Sequence, residues 1–149
     1  MPHVDFFILP DDQLQSLQLY ACKLAESNWL AGKRVLLQTD NQQQSQQLDE
    51  LLWNLREDSF IPHAIATLET SDQQQPVLIS HQKLNDADFQ HVINLSSRPC
   101  DLVVEVASFN IDEILNQEEQ RKQSGRENYK IYRNLGYTLK HHTLEPVGE

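Results

Sequence analysis

Two short apolar runs, VDFFIL at Val4–Leu9 and RVLLQT at Arg34–Thr39, are separated by one helical stretch. That arrangement constrains the fold more than any other feature, because strands joined through a helical crossover run parallel in one sheet, and that sheet needs helices over its faces. Pro10 closes the first run. Leu14, Leu17, Ala21 and Leu24 then recur at helical spacing, with Asp11 or Asp12 as the expected N-cap and Gly32 as the expected C-cap. After the second run, Asp40 or Asn41 caps a glutamine-rich helix carrying Leu48, Leu51 and Leu52. The opening is therefore βαβα, the start of an α/β sheet with helical crossovers, and 149 residues fit one domain spanning 1–149.

The rest is shorter-grained. PVLIS, HVINLS and LVVEVA read as brief strands, and KLNDADF between the first two is too short for a full crossover helix. SDQQQP at Ser71–Pro76 is a polar loop, and the glutamine clusters are solvated faces and loops with apolar periodicity intact around them. A last helical region is expected from Asn110 or Asp112 to Gly136. YTLKHHTL then alternates as an edge strand would, and EPVGE frays.

Charge and composition exclude several classes. The formal net charge is −10, from 22 acidic and 12 basic residues, which disfavours a surface built chiefly to displace counterions from nucleic acid. Cys22 and Cys100 have neither metal-ligand spacing nor the company a disulfide framework needs, so they read as buried free thiols in a reducing, cytoplasmic compartment. No signal peptide pattern opens the chain, and no apolar stretch approaches the roughly 20 residues of a membrane span.

An α/β sheet invites a phosphate site, but such sites need glycine in a strand-to-helix turn. The four glycines, Gly32, Gly125, Gly136 and Gly148, occupy no such turn, and the first one, LPDDQ, puts two acids where an anion would sit. His141 and His142 are adjacent and on a strand point to opposite faces, so they cannot share one metal ion. No nucleophile elbow is present. No cofactor, metal or catalytic residue is expected.

Two patches remain. Arg121, Lys122, Arg126, Lys130 and Arg133 gather five of the twelve basic residues in a short stretch of an acidic chain. At about 100° per residue, Lys122, Arg126, Tyr129, Lys130 and Arg133 share one helix face. Leu115 joins them if the helix is continuous, while Ile131 and Leu135 fall on the opposite side, as core residues would, and Ser124 and Gly125 are small and inward. A cationic stripe with an aromatic in it suits an acidic peptide with an apolar anchor; the same spacing suits a helix face that only keeps the chain in solution. The second patch, LLWNLREDSFIPHAI, sets Trp53 after a leucine pair and Phe60, Ile61 and Pro62 in a short extended segment. It reads equally as an interface anchor or as a corner of the core.

In order along the chain, FFIL, GKRVLL, LDELLWNLREDSFIPH, QPVLIS, HVINLS, VVEVA and YKIYRNLGYTL resemble the chi subunit of bacterial DNA polymerase III holoenzyme. The resemblance covers essentially the whole chain, and its most specific parts are LDELLW with SFIPH, and YKIYRNLGY. It implies a three-layer, mostly parallel, Rossmann-like sheet with no nucleotide site and no catalysis. It implies two partners as well: the psi subunit, which ties chi to the clamp loader, and the acidic C-terminal tail of single-stranded DNA-binding protein, which ends in an apolar Phe. Carried over by position, Lys122, Arg126, Tyr129 and Lys130 match the family's tail-binding residues, to which the helix face adds Leu115 and Arg133. Trp53, Phe60, Ile61 and Pro62 match its psi-facing region. The SDQQQP loop and a slightly long C-terminus depart from the family without touching either patch. The expected role is a replisome adaptor. The rivals are direct binding of single-stranded DNA by the basic stripe, which a lone stripe aromatic and the acidic total disfavour, and an enzyme with an unrecognised site.

Overall fold

The structure is a computed structural model that describes residues 2–55, 61–66, 75–82, 89–100 and 109–145. In chain order these form β1 (His3–Ile8), α1 (Leu14–Leu30), β2 (Val35–Gln38), α2 (Gln42–Asn54), β3 (His63–Ile65), β4 (Val77–Ser80), β5 (His91–Asn94), β6 (Asn110–Leu115), α3 (Glu119–Asn134) and β7 (Thr138–Thr143). The expected LVVEVA strand, the KLNDADF connection and most of EPVGE lie outside the described residues. The described strands make a sheet of seven in the order β3-β4-β2-β5-β6-β1-β7. Every pairing in it is parallel.

Alternation along each strand divides the apolar side chains between two cores. Val35, Leu37, Val77, Ile79, Ile93 and Ile114 meet Leu17, Ala21 and Ala25 of α1 and Leu48 and Leu52 of α2. Val4, Phe6, Leu36, Leu78, Val92 and Ile111 meet Tyr132 of α3 on the other face. The result is the expected three-layer α/β arrangement. β2, β4 and β5 are buried along their whole length, as strands covered on both faces are. The edge strand β7 is mostly exposed instead, with only Leu139 and His142 half-buried.

Local signals account for most element ends. Asn41 caps α2 by accepting from the Gln44 amide at 2.9 Å. Gly32 has φ +82° and Gly136 φ +83°, the left-handed exit that glycine adopts without a Cβ penalty. The start of α1 differs from expectation: Gln13, without a side-chain cap bond, occupies the N-cap. Tertiary contact sets that boundary, for Asn116 Nδ2 donates to the Gln13 carbonyl and the Gln117 amide to the Asp11 carbonyl, at 3.1 and 2.8 Å. Asp11 instead accepts from the Gln13 amide at 3.0 Å.

The larger correction concerns residues 110–118. The segment expected to open the last helix is strand β6, and α3 begins only at Glu119. NIDEIL does not alternate in polarity: the adjacent acids Asp112 and Glu113 face opposite sides of the sheet and are both buried, and buried acids are rare enough to hide a strand. Partners on neighbouring elements make the burial possible. On the α1 face His142 Nε2 donates to Asp5 at 2.9 Å, Asn110 Nδ2 donates to Asp5 and Asp112 at 3.2 and 3.1 Å, and His91 Nε2 donates to Asp112 at 2.6 Å. This row crosses β7, β1, β6 and β5.

On the α3 face Glu113 is fully buried, and burial pushes its carboxyl above the ordinary range while Arg121 opposes that rise. Asn94 Nδ2 and the Tyr132 hydroxyl donate to Glu113 Oε2, each at 2.6 Å, and Asn128 Nδ2 donates to Oε1 at 3.3 Å. Arg121 Nη2 lies 3.6 Å from Oε1. Its guanidinium also donates to the carbonyls of Ile114, Ser96 and Asn94 at 2.7, 2.5 and 3.2 Å.

This network sets the rotation of α3. The inward residues are Arg121, Gly125, Asn128 and Tyr132, spaced four, three and four apart as one helix face requires. Ile131 and Leu135, expected inward, are 41% and 54% exposed. An apolar face would have turned them in; the need to pair Glu113 turns them out. Gly125 is inward as expected, and a Cβ there would stand 2.6 Å from a Leu115 methyl, so α3 packs directly on the Leu115 side chain and a larger residue would have to displace it. Cys22 is buried, which pushes its thiol up to about 12. Cys100 is only half-buried, contrary to expectation, and neither cysteine is bridged.

Arg121→Met leaves Glu113 without its cation and should lower stability by about 3–5 kcal/mol. The double variant with Glu113→Gln should regain part of that loss, because no lone charge stays buried. Denaturant unfolding at neutral pH reads both. Equal stability of Arg121→Met and the parent chain would remove the pair from its central place.

Candidate functional site

The basic face of α3 borders a groove of about 730 Å³ bounded by α3, β1, β6 and β7. Lys122, Arg126, Tyr129, Lys130 and Arg133 line it from the helix, with Gln123 and Glu127. Phe6 and Ile8 line it from β1, Leu115 from β6 and His141 from β7. All six residues expected from the stripe thus meet around one cavity. Leu115 does so from a strand and not from the helix, through the space that Gly125 leaves.

The groove combines two chemistries. Its floor is apolar and aromatic: Phe6 lies 5.5 Å from Tyr129 and 5.5 Å from His141 between ring centroids, the latter pair stacked. Its helix wall is cationic. Lys122 sits 3.5 Å from Glu119, which is 85% exposed, a pairing that water weakens. Among the described residues Arg126, Lys130 and Arg133 make no ion pair. Gln123 donates to Glu127 at 3.1 Å, which engages the acid of the lining. A carboxylate entering here meets several cations of fixed spacing, and an apolar group beside it meets Phe6, Ile8 and Leu115.

Arg121 belongs to the same basic cluster in sequence yet is 8% exposed and serves the buried network. Phe6, Ile8 and His141 escaped the sequence reading. Strand alternation puts Phe6 and Ile8 on one side of β1, but the signal for which side α3 covers is absent from the local sequence.

The aromatic patch divides. Trp53 of α2 is 52% exposed, and its ring meets His63 edge-on with centroids 4.9 Å apart. His63 is itself fixed: Nδ1 donates to the Ile61 carbonyl at 2.6 Å, and Nε2 lies 3.1 Å from Asp49. The Nε2 contact is close enough for an ion pair but poorly aligned for a hydrogen bond, since that nitrogen has no bonded partner by geometry. Ile61 is 2% exposed and belongs to the core beneath, and Pro62 is half-buried. Phe60 lies outside the described residues. Trp53 and the groove are on opposite layers of the sheet, since α2 packs with α1 and α3 covers the other face.

Among the described residues no helix is long and apolar enough to cross a membrane. The crystal structure of T4 UvsW is similar in fold, with a TM-score of 0.64 at 9% identity over 97% of this chain and 42% of that one. Curated relatives named DNA polymerase III subunit chi are far nearer in sequence. The Pseudomonas aeruginosa protein is 31% identical over 99% of this chain and all of its own length. The Escherichia coli protein is 31% identical over 93% and 96% of the two chains, and the Haemophilus influenzae protein 30% over 96% of each. The family described as DNA polymerase III chi subunit, HolC, matches residues 1–140. With the parallel α/β sheet and relatives aligned end to end, the chain belongs to the DNA polymerase III chi subunit family, accessory subunits of DNA replication.

Proposed function

We propose that this chain is a non-catalytic replisome adaptor. The α3 groove takes the acidic C-terminal tail of single-stranded DNA-binding protein, and the Trp53 surface takes the psi subunit, which joins it to the clamp loader. The observation that carries the reading is the convergence of Leu115, Lys122, Arg126, Tyr129, Lys130 and Arg133 on one groove whose floor is apolar. A chain terminus that is acidic and ends in Phe presents both chemistries together, carboxylates for the cations and a ring for the floor. A helix face that served only solubility would need no apolar floor beneath it. Direct binding of single-stranded DNA fits less well, because strand binders spread stacking aromatics along a positive channel and this groove is confined.

Trp53 supports the second contact. A half-exposed tryptophan held from below by a buried histidine is an anchor of the kind that dominates protein interfaces. Pro62 is half-buried and Ile61 is part of the core just before His63 in the chain, with Phe60 following the family pattern. The two contacts use opposite layers, so one chain has room to hold both partners at once.

Tail-peptide binding should weaken steeply with salt, since contacts at an exposed cationic wall are screened over about 8–10 Å. Arg126→Ala and Lys130→Ala should each cost about 1.5–3 kcal/mol of peptide binding, the range for hydrogen bonds to charged groups. Their melting temperatures should stay near that of the parent, because exposed charges contribute on the order of 0–1 kcal/mol to folding. Calorimetric titration at low and high ionic strength reads the first two, and salt-insensitive affinity would refute the groove reading. Trp53→Ala should lose about 2 kcal/mol or more of psi binding while keeping the peptide. A pull-down with psi beside a peptide titration separates the surfaces, and parallel loss of both activities with a collapsed melt would assign Trp53 to structure.

A further inference from the structure

His141 stands in the groove without a part in the reading above. It projects from β7 toward α3, stacked on Phe6 with planes 25° apart and tilted 32° to Tyr129 at 5.1 Å. The ring is exposed at the groove and not sealed beneath it. Its neighbour His142 turns to the other face, where Asp5 holds it and Phe7 stacks on it at 4.9 Å. Lys140 is on that other face with it, near Asp5. Among the described residues, the charged side chains that line the groove with His141 come from α3: Lys122, Arg126, Lys130 and Arg133, with the acid Glu127. The groove residues of β1 and β6 are apolar.

Histidine is the side-chain type that ordinarily changes charge between about pH 5 and 8, and no other residue lining this groove does. A nearby cation disfavours an imidazolium and a nearby carboxylate favours it. Lys122, Arg126, Lys130 and Arg133 line the same groove as His141, and a peptide carboxylate drawn in between β7 and α3 comes beside the ring, where it favours the imidazolium. Aromatic faces on Phe6 and Tyr129 also accept a cation.

We propose that His141 is a further binding residue of the groove, drawing a proton from solvent as a peptide carboxylate enters and so making capture of an acidic tail tighten as the pH falls below neutrality. The inference rests on the reading of the groove as an acidic-tail site. By linkage the two statements are one: if binding takes up a proton, lower pH strengthens binding.

The probe is a synthetic peptide of several aspartates ending in Phe with a free carboxylate, titrated into the full chain at about pH 8 and about pH 6. Over that range the peptide's own carboxyl groups stay ionised. Two buffers of different ionisation enthalpy give the number of protons taken up. The parent chain should bind about two- to fivefold more tightly at the lower pH, the range for one exposed charge pair, with net proton uptake.

His141→Phe keeps an aromatic ring over Phe6 but holds no proton. Whatever its affinity at the higher pH, it should lose both the pH dependence and the uptake. His141→Arg, a permanent cation, should bind at either pH as the parent does at the lower one. Proton uptake unchanged in His141→Phe, or none in the parent, overturns the inference while leaving the groove reading intact. Failure of the parent to bind the peptide at either pH overturns both.

Discussion

Glu113 is a carboxylate with no access to water in the middle of the contact between α3 and the sheet, and α3 takes its position from the way that charge is met. Desolvation penalises an isolated buried carboxylate by far more than a domain's marginal stability permits. Asn94 on β5, Arg121, Asn128 and Tyr132 on α3 each bring a donor or a positive charge to it. Arg121 spends its remaining donors on carbonyls at the ends of β5 and β6. These bonds have directions, which hydrophobic contact lacks, so they hold one rotation of the helix over the sheet. The outward side of that rotation carries Lys122, Arg126, Lys130 and Arg133. The groove wall is a consequence of the buried pair.

The same contact explains the floor. Gly125 faces β6 so closely that a Cβ would strike the Leu115 methyls, and the short approach lets Leu115 reach the groove from beneath the helix. Tyr129 is carried to Phe6 and His141 by the same packing. Cationic wall and apolar floor are thus assembled from the consecutive elements β6, α3 and β7 together with β1 from the far end of the chain. On the other side of the sheet α1 and α2 pack by ordinary apolar contact, and Trp53 is left at the outer side of α2 with His63 beneath it. A sheet buried on both faces needs such helices on both, which provides two independent surfaces on one chain.

Much of the fold was legible in particular residues. VDFFIL and RVLLQT read as strands because apolar runs of that length, closed by Pro10 or a polar cap, have few other uses. Asn41 and Gly32 marked their helix ends, since a cap and a left-handed exit depend on chemistry within a few residues. The stripe Lys122, Arg126, Tyr129, Lys130 and Arg133 was legible because helical periodicity alone puts those residues on one side. Residues 110–115 were not, because buried Asp112 and Glu113 imitate the polar positions of a helix, and it takes His91, Asn94, Asn110, Arg121, Asn128 and Tyr132 to make their burial tolerable. Ile131 and Leu135 misled for the related reason that an apolar residue is ordinarily read as inward.

The amino-acid order by itself determined the α/β class, the parallel crossovers, the start of α2, the ends of α1 and α3 and the cationic face, since each follows from periodicity or from bonds reaching only a few residues along the chain. Tertiary structure alone decided the strand identity of Asn110–Leu115, the rotation of α3, the burial of Arg121 amid a cluster of exposed cations, and the meeting of Phe6, Leu115 and His141 in one groove. Each of those depends on a partner on a different element, which periodicity along the chain does not reveal, and a buried charge is acceptable only once its partner has arrived.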